Sequence, residues 1–153
     1  MALRLARAKA EAGTAGTHDL VLAADTVVVV DGRSLGKPAD EQDCLATLSA
    51  LSGRGHRVLT GVALRGPDGT RTALSSTDVY FREISRDEAR AYWQSGEPRD
   101  KAGAYAIQGL GAVFVERIEG SYSGVVGLPV FETVALLREA GFDVVTMWTA
   151  HGR

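Results

Sequence analysis

One cysteine, Cys44, stands among the 153 residues, so no disulfide can close within the chain and a reducing compartment is expected. No apolar run approaches the ~18 residues that a membrane-spanning helix requires. Charge of neither sign dominates: 17 Lys and Arg against 19 Asp and Glu leave a net charge of −2. That balance gives no basic footprint for nucleic acid and no polybasic signal for a membrane surface. Histidine is scarce. His18, His56 and His151 lie far apart, without ligand spacing, and are read as solvent-exposed. No Ser-His-Asp arrangement, Walker loop or Rossmann glycine fingerprint is legible. The opening segment, MALRLARAKAEAG, is basic and amphipathic and lacks the apolar centre of a signal peptide, so a cytoplasmic protein is expected. What remains is an ordinary globular composition, 45% hydrophobic and 24% charged, long enough for a single domain over residues 1–153.

Against this background one stretch stands out: Leu20 to Pro38, LVLAADTVVVVDGRSLGKP. Val21 to Ala24 and Val27 to Val30 read as a strand covered on both faces, because no polar alternation interrupts them. Asp25 and Thr26 break the run. A carboxylate in an apolar strand costs several kcal/mol unless it is paired, hydrogen-bonded or metal-bound. Asp31-Gly32 is a two-residue hairpin signal, since both central positions of such a turn want positive φ. Counting back from that turn sets Val30 against Arg33 and Thr26 against Lys37, which brings Lys37 to the same end of the sheet as Asp25. A structural ion pair closing the hairpin and a catalytic carboxylate are both open at this point.

The remaining pattern alternates helices and strands. A helix is predicted over about Ala2 to Ala12, stopped at Gly13. A second runs to Leu51 behind the N-cap Asp40, with Leu45, Leu48 and Leu51 on one face and Gly53 as its stop. Cys44 lies on that helix and reads as a small core residue. Val58–Leu64 and Thr70–Phe81 form a hairpin around Pro67-Asp68-Gly69. Ser85 to Glu88 is a capping box opening a third helix. A strand over Ala112–Ile118, a helix over Pro129–Ala140 and a last strand over Asp143–Thr149 complete an α/β reading with a mixed sheet. Trp93 and Trp148 are expected to pack. Glu132, just past the start of its helix, could equally touch a ligand or be a solvated first-turn acid favoured by the helix dipole.

Residues 96–129 are dense in glycine. Small residues between Asp100 and Gly111 let backbone amides approach a ligand, and Lys101 could neutralise a phosphate. Gln108 offers donors and an acceptor, as reading a base edge requires. By composition alone the phosphate-site signal is weak, and a turn-rich surface loop suits the segment better.

Taken together, the segments resemble the Maf family of septum-formation-inhibitor-like nucleotide pyrophosphatases. The matching pieces, in family order, are Ala8-Lys9-Ala10, Ala24-Asp25-Thr26-Val27-Val28, Gly36-Lys37-Pro38, Leu51-Ser52-Gly53, Thr60-Gly61-Val62, Gly96-Glu97-Pro98, Asp100-Lys101-Ala102-Gly103, Ile107-Gln108-Gly109, Gly120-Ser121-Tyr122 and Val126-Gly127-Leu128-Pro129. The resemblance implies a mixed, strongly twisted sheet flanked by helices, of the inosine triphosphatase-like kind. It implies hydrolysis of a nucleoside triphosphate to monophosphate and pyrophosphate with a divalent cation, Mg or Mn, and a homodimer. Asp25 would take the proton of the attacking water, Lys9 and Lys37 would flank the phosphates with Asp100 and Lys101, and Thr26 and Gln108 would bear on substrate choice. The run from Ala106 to Pro129 looks like the subgroup acting on dTTP and UTP rather than on methylated GTP. Family members begin with a strand and a Ser-x-Ser-Pro-Arg-Arg loop, and this chain is expected to be truncated by that segment. Its lack leaves a second reading, a non-catalytic nucleotide-binding or septum-regulating protein.

Overall fold

A computed structural model of the chain describes residues 1–13 and 19–150. His18 and His151 lie outside them. The chain runs α1 (Ala2–Ala12), β1 (Val21–Val30), β2 (Arg33–Leu35), α2 (Glu41–Leu51), β3 (Gly55–Gly66), β4 (Gly69–Phe81), α3 (Arg86–Gln94), β5 (Val115–Glu119), α4 (Tyr122–Val126), α5 (Val130–Glu139) and α6 (Val144–Ala150). Three short 3-10 turns lie between α3 and β5.

The five strands form one sheet in the order β2-β1-β3-β4-β5, and every pairing is antiparallel. The mixed sheet expected from the alternating elements is therefore corrected. The helix α2 does cross between two strands of the same direction, β2 and β3, but β1 lies between them, so no parallel neighbours arise. The turn at Asp31-Gly32 is as the sequence demands, with φ of 50° and 72°. Val30 meets Arg33, as expected, yet the ladder ends at Val28 opposite Leu35, so the predicted pairing of Thr26 with Lys37 does not form. Thr26 pairs instead with Thr60 on the other side.

Strand alternation sends Val28, Val30, Val58, Val79 and Phe81 to one face. There they meet Leu45, Leu48 and Leu51 of α2 and Ala89 and Tyr92 of α3 in the main core. Each large side chain buried there contributes roughly 1.5–3 kcal/mol. Cys44 is fully buried in the same cluster, and burial, with Asp43 and Glu41 nearby, pushes its thiol up to about 11. Farther along this face Val62 and Leu64 pack on Leu136 of α5. The opposite face receives α1 through the buried alanine stripe Ala2, Ala6 and Ala10, of which Ala6 and Ala10 are seated on Ala63 with Val21 and Ala23 beside them. A methyl group on Gly61 would stand 2.7 Å from the Ala2 backbone, so the helix lies as close as a bare backbone permits.

Caps behave as read. Asp40 accepts from the Asp43 amide at 2.8 Å, and Ser85 and Glu88 close a reciprocal capping box. Two strands do not. Residues 110–114 are a 3-10 turn, because the amides of Leu110 and Gly111 donate to Glu97 rather than to a strand neighbour. Residues 144–150 are helical despite their β-branched content, since Asp143 accepts from the Val145 amide and starts a turn. Cover over β1 is also thinner than predicted: Leu22 is 40% exposed, and β2 supports the strand only across Val28–Val30. Trp93 packs against the core, but Trp148 is 60% exposed, contrary to expectation. Glu132 is half-buried with an unpartnered buried oxygen, not solvated. No helix among the described residues is long and apolar enough to cross a membrane.

Candidate active site

Lys9, Asp25, Thr26, Lys37, Asp100, Lys101 and Gln108, the seven residues singled out in the sequence, line one cavity of about 270 Å³. Four parts of the fold deliver them. Asp25 and Thr26 sit side by side in β1, fixed by ladder partners Gly61 and Thr60. Lys9 comes from the last turn of α1, which the alanine stripe holds against the sheet. Asp100, Lys101 and Gln108 come from the loop after α3, and Lys37 from the segment after β2. A hydrogen bond from the Gly103 amide to the Gly36 carbonyl, 3.2 Å, draws those last two segments together. Gly103 has φ of 74°, and a methyl there would stand 2.9 Å from Val28, so only glycine lets the loop settle this closely on β1.

Asp25 has its ion pair, but not with the partner the hairpin suggested. Its Oδ1 accepts from Lys9 Nζ at 2.8 Å, and the same ammonium donates to the Ala24 carbonyl at 3.3 Å. The Asp25 side chain is only 16% exposed, whereas that of Lys9 is 55% exposed. Lys37 carries no ion pair among the described residues, and Lys101 stands 3.6 Å from the Asp100 carboxylate. Three ammonium groups thus border a cavity with two carboxylates. That charge pattern suits a multiply charged anion that arrives with a cation.

The Thr26 hydroxyl meets Thr60 Oγ1 at 3.0 Å. Thr60, fully buried, donates its own proton to the Gly124 carbonyl at 2.6 Å. One hydroxyl proton cannot serve both bonds, so Thr26 donates to Thr60 and turns its lone pairs to other neighbours. Ser121 caps α4 by accepting from the Gly124 amide, and Val125 and Val126 of that short helix close the cavity with apolar surface.

Tyr105 stands in the loop that the sequence marked, but its pairing with His56 was not legible there. His56, expected in solvent, is buried on β3, with Nε2 2.7 Å from the Tyr105 hydroxyl. Burial, aided by the Arg54 charge and opposed by Asp78, lowers its pKa to about 4. Tyr105 lines the cavity, and burial drives its hydroxyl well above the usual phenol range. The alternation of β3 carried the only signal: His56 shares the face of Val58, Thr60 and Val62, which is the core face.

The Maf-like protein family model matches residues 1–140. A protein of Methylobacillus flagellatus named dTTP/UTP pyrophosphatase is 56% identical over 145 residues, covering 93% of this chain and 73% of its own length. Proteins of the same name from Pseudoalteromonas translucida and Syntrophomonas wolfei are 56% and 51% identical, over 88% and 93% of this chain and 72% and 77% of theirs. A family match across residues 1–140 and half or more of the residues shared with such relatives establish that the chain belongs to the Maf family.

Proposed function

We propose that this chain is a nucleoside triphosphate pyrophosphatase acting on dTTP and UTP. The convergence of Asp25 with three lysines and Gln108 on one cavity carries the proposal, and the shared name of its relatives supports the substrate class. Water attacks the α-phosphorus, the bond from that phosphorus to the α–β bridging oxygen breaks, and nucleoside monophosphate and pyrophosphate leave. Asp25 receives the proton of the attacking water. Lys9 fixes Oδ1 and leaves Oδ2 as the acceptor, so the base is held in place before substrate arrives. Lys9, Lys37 and Lys101 offset the negative charge of the phosphates where it shifts toward the leaving group. Thr26 and Gln108 face the part of the substrate that distinguishes one nucleotide from another.

Among the described residues no three His, Cys, Asp or Glu side chains gather closely enough to hold a metal alone. Two carboxylates, Asp25 and Asp100, border the cavity, which suits magnesium or manganese held jointly by protein and phosphate oxygens. Such a cation would spread phosphate charge during transfer. The proposal extends to one cytoplasmic pyrophosphatase domain over residues 1–153, working as a homodimer and removing surplus or non-standard nucleotides before they enter nucleic acid.

Pyrophosphate release from dTTP, UTP and GTP, measured with magnesium, with manganese and with EDTA, tests this. Metal-dependent turnover of dTTP and UTP at least tenfold above GTP is expected. Binding of dTTP without any release would overturn the enzymatic reading in favour of a nucleotide-binding protein.

A further inference from the structure

The three loop residues of the cavity, Asp100, Lys101 and Gln108, lie on a segment with little backbone ladder of its own. Its conformation is held from within. Glu97, at the entrance of the loop, accepts from the amides at its exit: Leu110 to Oε1 at 2.9 Å and Gly111 to Oε2 at 3.0 Å. Oε2 also accepts from the Tyr92 hydroxyl. The Tyr92 oxygen accepts from the Ala106 amide at 3.0 Å, in the middle of the loop. One carboxylate thus ties the start, middle and end of the segment that carries Asp100, Lys101 and Gln108.

The surroundings are shaped for that acid. A methyl on Gly109 would stand 2.0 Å from Glu97 Oε1, and one on Gly111 would stand 2.7 Å from both the Tyr92 hydroxyl and the Ala106 carbonyl. Three donors converge on two oxygens, so only a group that accepts at both satisfies them. A glutamine would set its NH2 against a donor at one of the two positions and leave a backbone amide unpaired. Partial burial works to raise the Glu97 pKa, but the bonds from Tyr92, Leu110 and Gly111 and the charge of Lys101 outweigh it and hold the carboxyl below its usual range.

We infer that Glu97 is a positioning residue for the nucleotide, acting through the loop: its carboxylate sets where Lys101 and Gln108 stand and so governs substrate binding, while Asp25 is held independently by β1. The inference rests on the cavity being the nucleotide site. Glu97→Gln tests it with two readouts. Amide hydrogen exchange at Leu110 and Gly111 should quicken at least tenfold, and the KM for dTTP should rise about tenfold with kcat within threefold. A role confined to overall stability would lower the melting temperature without that split. Tyr92→Phe, which keeps the two backbone bonds, provides a milder second variant, with faster exchange at Ala106 and a KM rise of about threefold. Unchanged exchange in both variants overturns the clamp. Faster exchange with unchanged KM overturns its link to substrate. Wild-type protein that turns over no nucleotide overturns the reading of the site, a failure distinct from the other two because exchange is measured without substrate.

Discussion

The two walls of the cavity are built by different physics. The β1 wall is a backbone ladder: Asp25 and Thr26 are each locked opposite a β3 residue, and α1 adds Lys9 from a helix pressed to the sheet. The loop wall is fastened by side chains, through Glu97, Tyr92 and the His56–Tyr105 contact, and by glycines that leave room for them. A ladder tolerates the loss of any one side chain, since its bonds run through every residue. A side-chain clamp concentrates the same task in a few groups. On the proposed reading the reacting carboxylate and Thr26 therefore sit on the wall that is hardest to move, and Lys101 and Gln108 sit on the wall that single substitutions can retune.

The largest expected effect separates chemistry from scaffold on the β1 wall. Asp25→Asn should lower kcat for dTTP by about 10²–10⁴ while the fold persists, because the ladder does not use the side chain. A loss below tenfold in steady-state turnover would remove Asp25 from the proton-accepting role. On the loop wall the strongest test is pH. The unfolded chain protonates His56 near pH 6.5 and the folded chain only near pH 4. Stability from this group is thus intact above pH 6.5 and is lost as pH falls to 4, on the order of 3 kcal/mol in all. His56→Gln should flatten that part of the stability curve, measured by urea unfolding at successive pH values; a curve as steep as wild type would assign the slope to other groups. The smallest effect sharpens the contrast from the ladder side. Gly61→Ala forces a methyl into the Ala2 backbone and should cost about 1–3 kcal/mol, lifting α1 and weakening the Lys9–Asp25 pair. Its kcat should fall more than its KM rises, the reverse of the pattern expected for Glu97→Gln. Equal changes in both constants would mean that the two walls do not act separately.

Much of the fold was legible because the signals were local. Asp31-Gly32, the Asp40 cap and the Ser85–Glu88 box each carry their geometry in two to four residues, and each forms as read. The seven cavity residues were also legible, chiefly through the family resemblance, for nothing local joins Lys9 to Lys101. What escaped depended on distant partners. The mate of Asp25 was misread because hairpin counting sees only the adjacent strand, whereas Lys9 arrives on α1, which packs on Gly61 and Ala63. The strand predicted over Ala112–Ile118 was shortened by a carboxylate 13 residues before Leu110. Val144 to Thr149 had β-branched residues enough for a strand but lies in a helix beside α5.

Cys44 has a consequence of its own. A lone thiol with no exposed surface and a pKa near 11 offers reagents almost no thiolate while α2 stays on the sheet. Alkylation of the intact chain is therefore paced by excursions that lift α2 away. The protein carries a native clock for its own opening, and a nucleotide that binds only the closed form would slow that clock in proportion to occupancy.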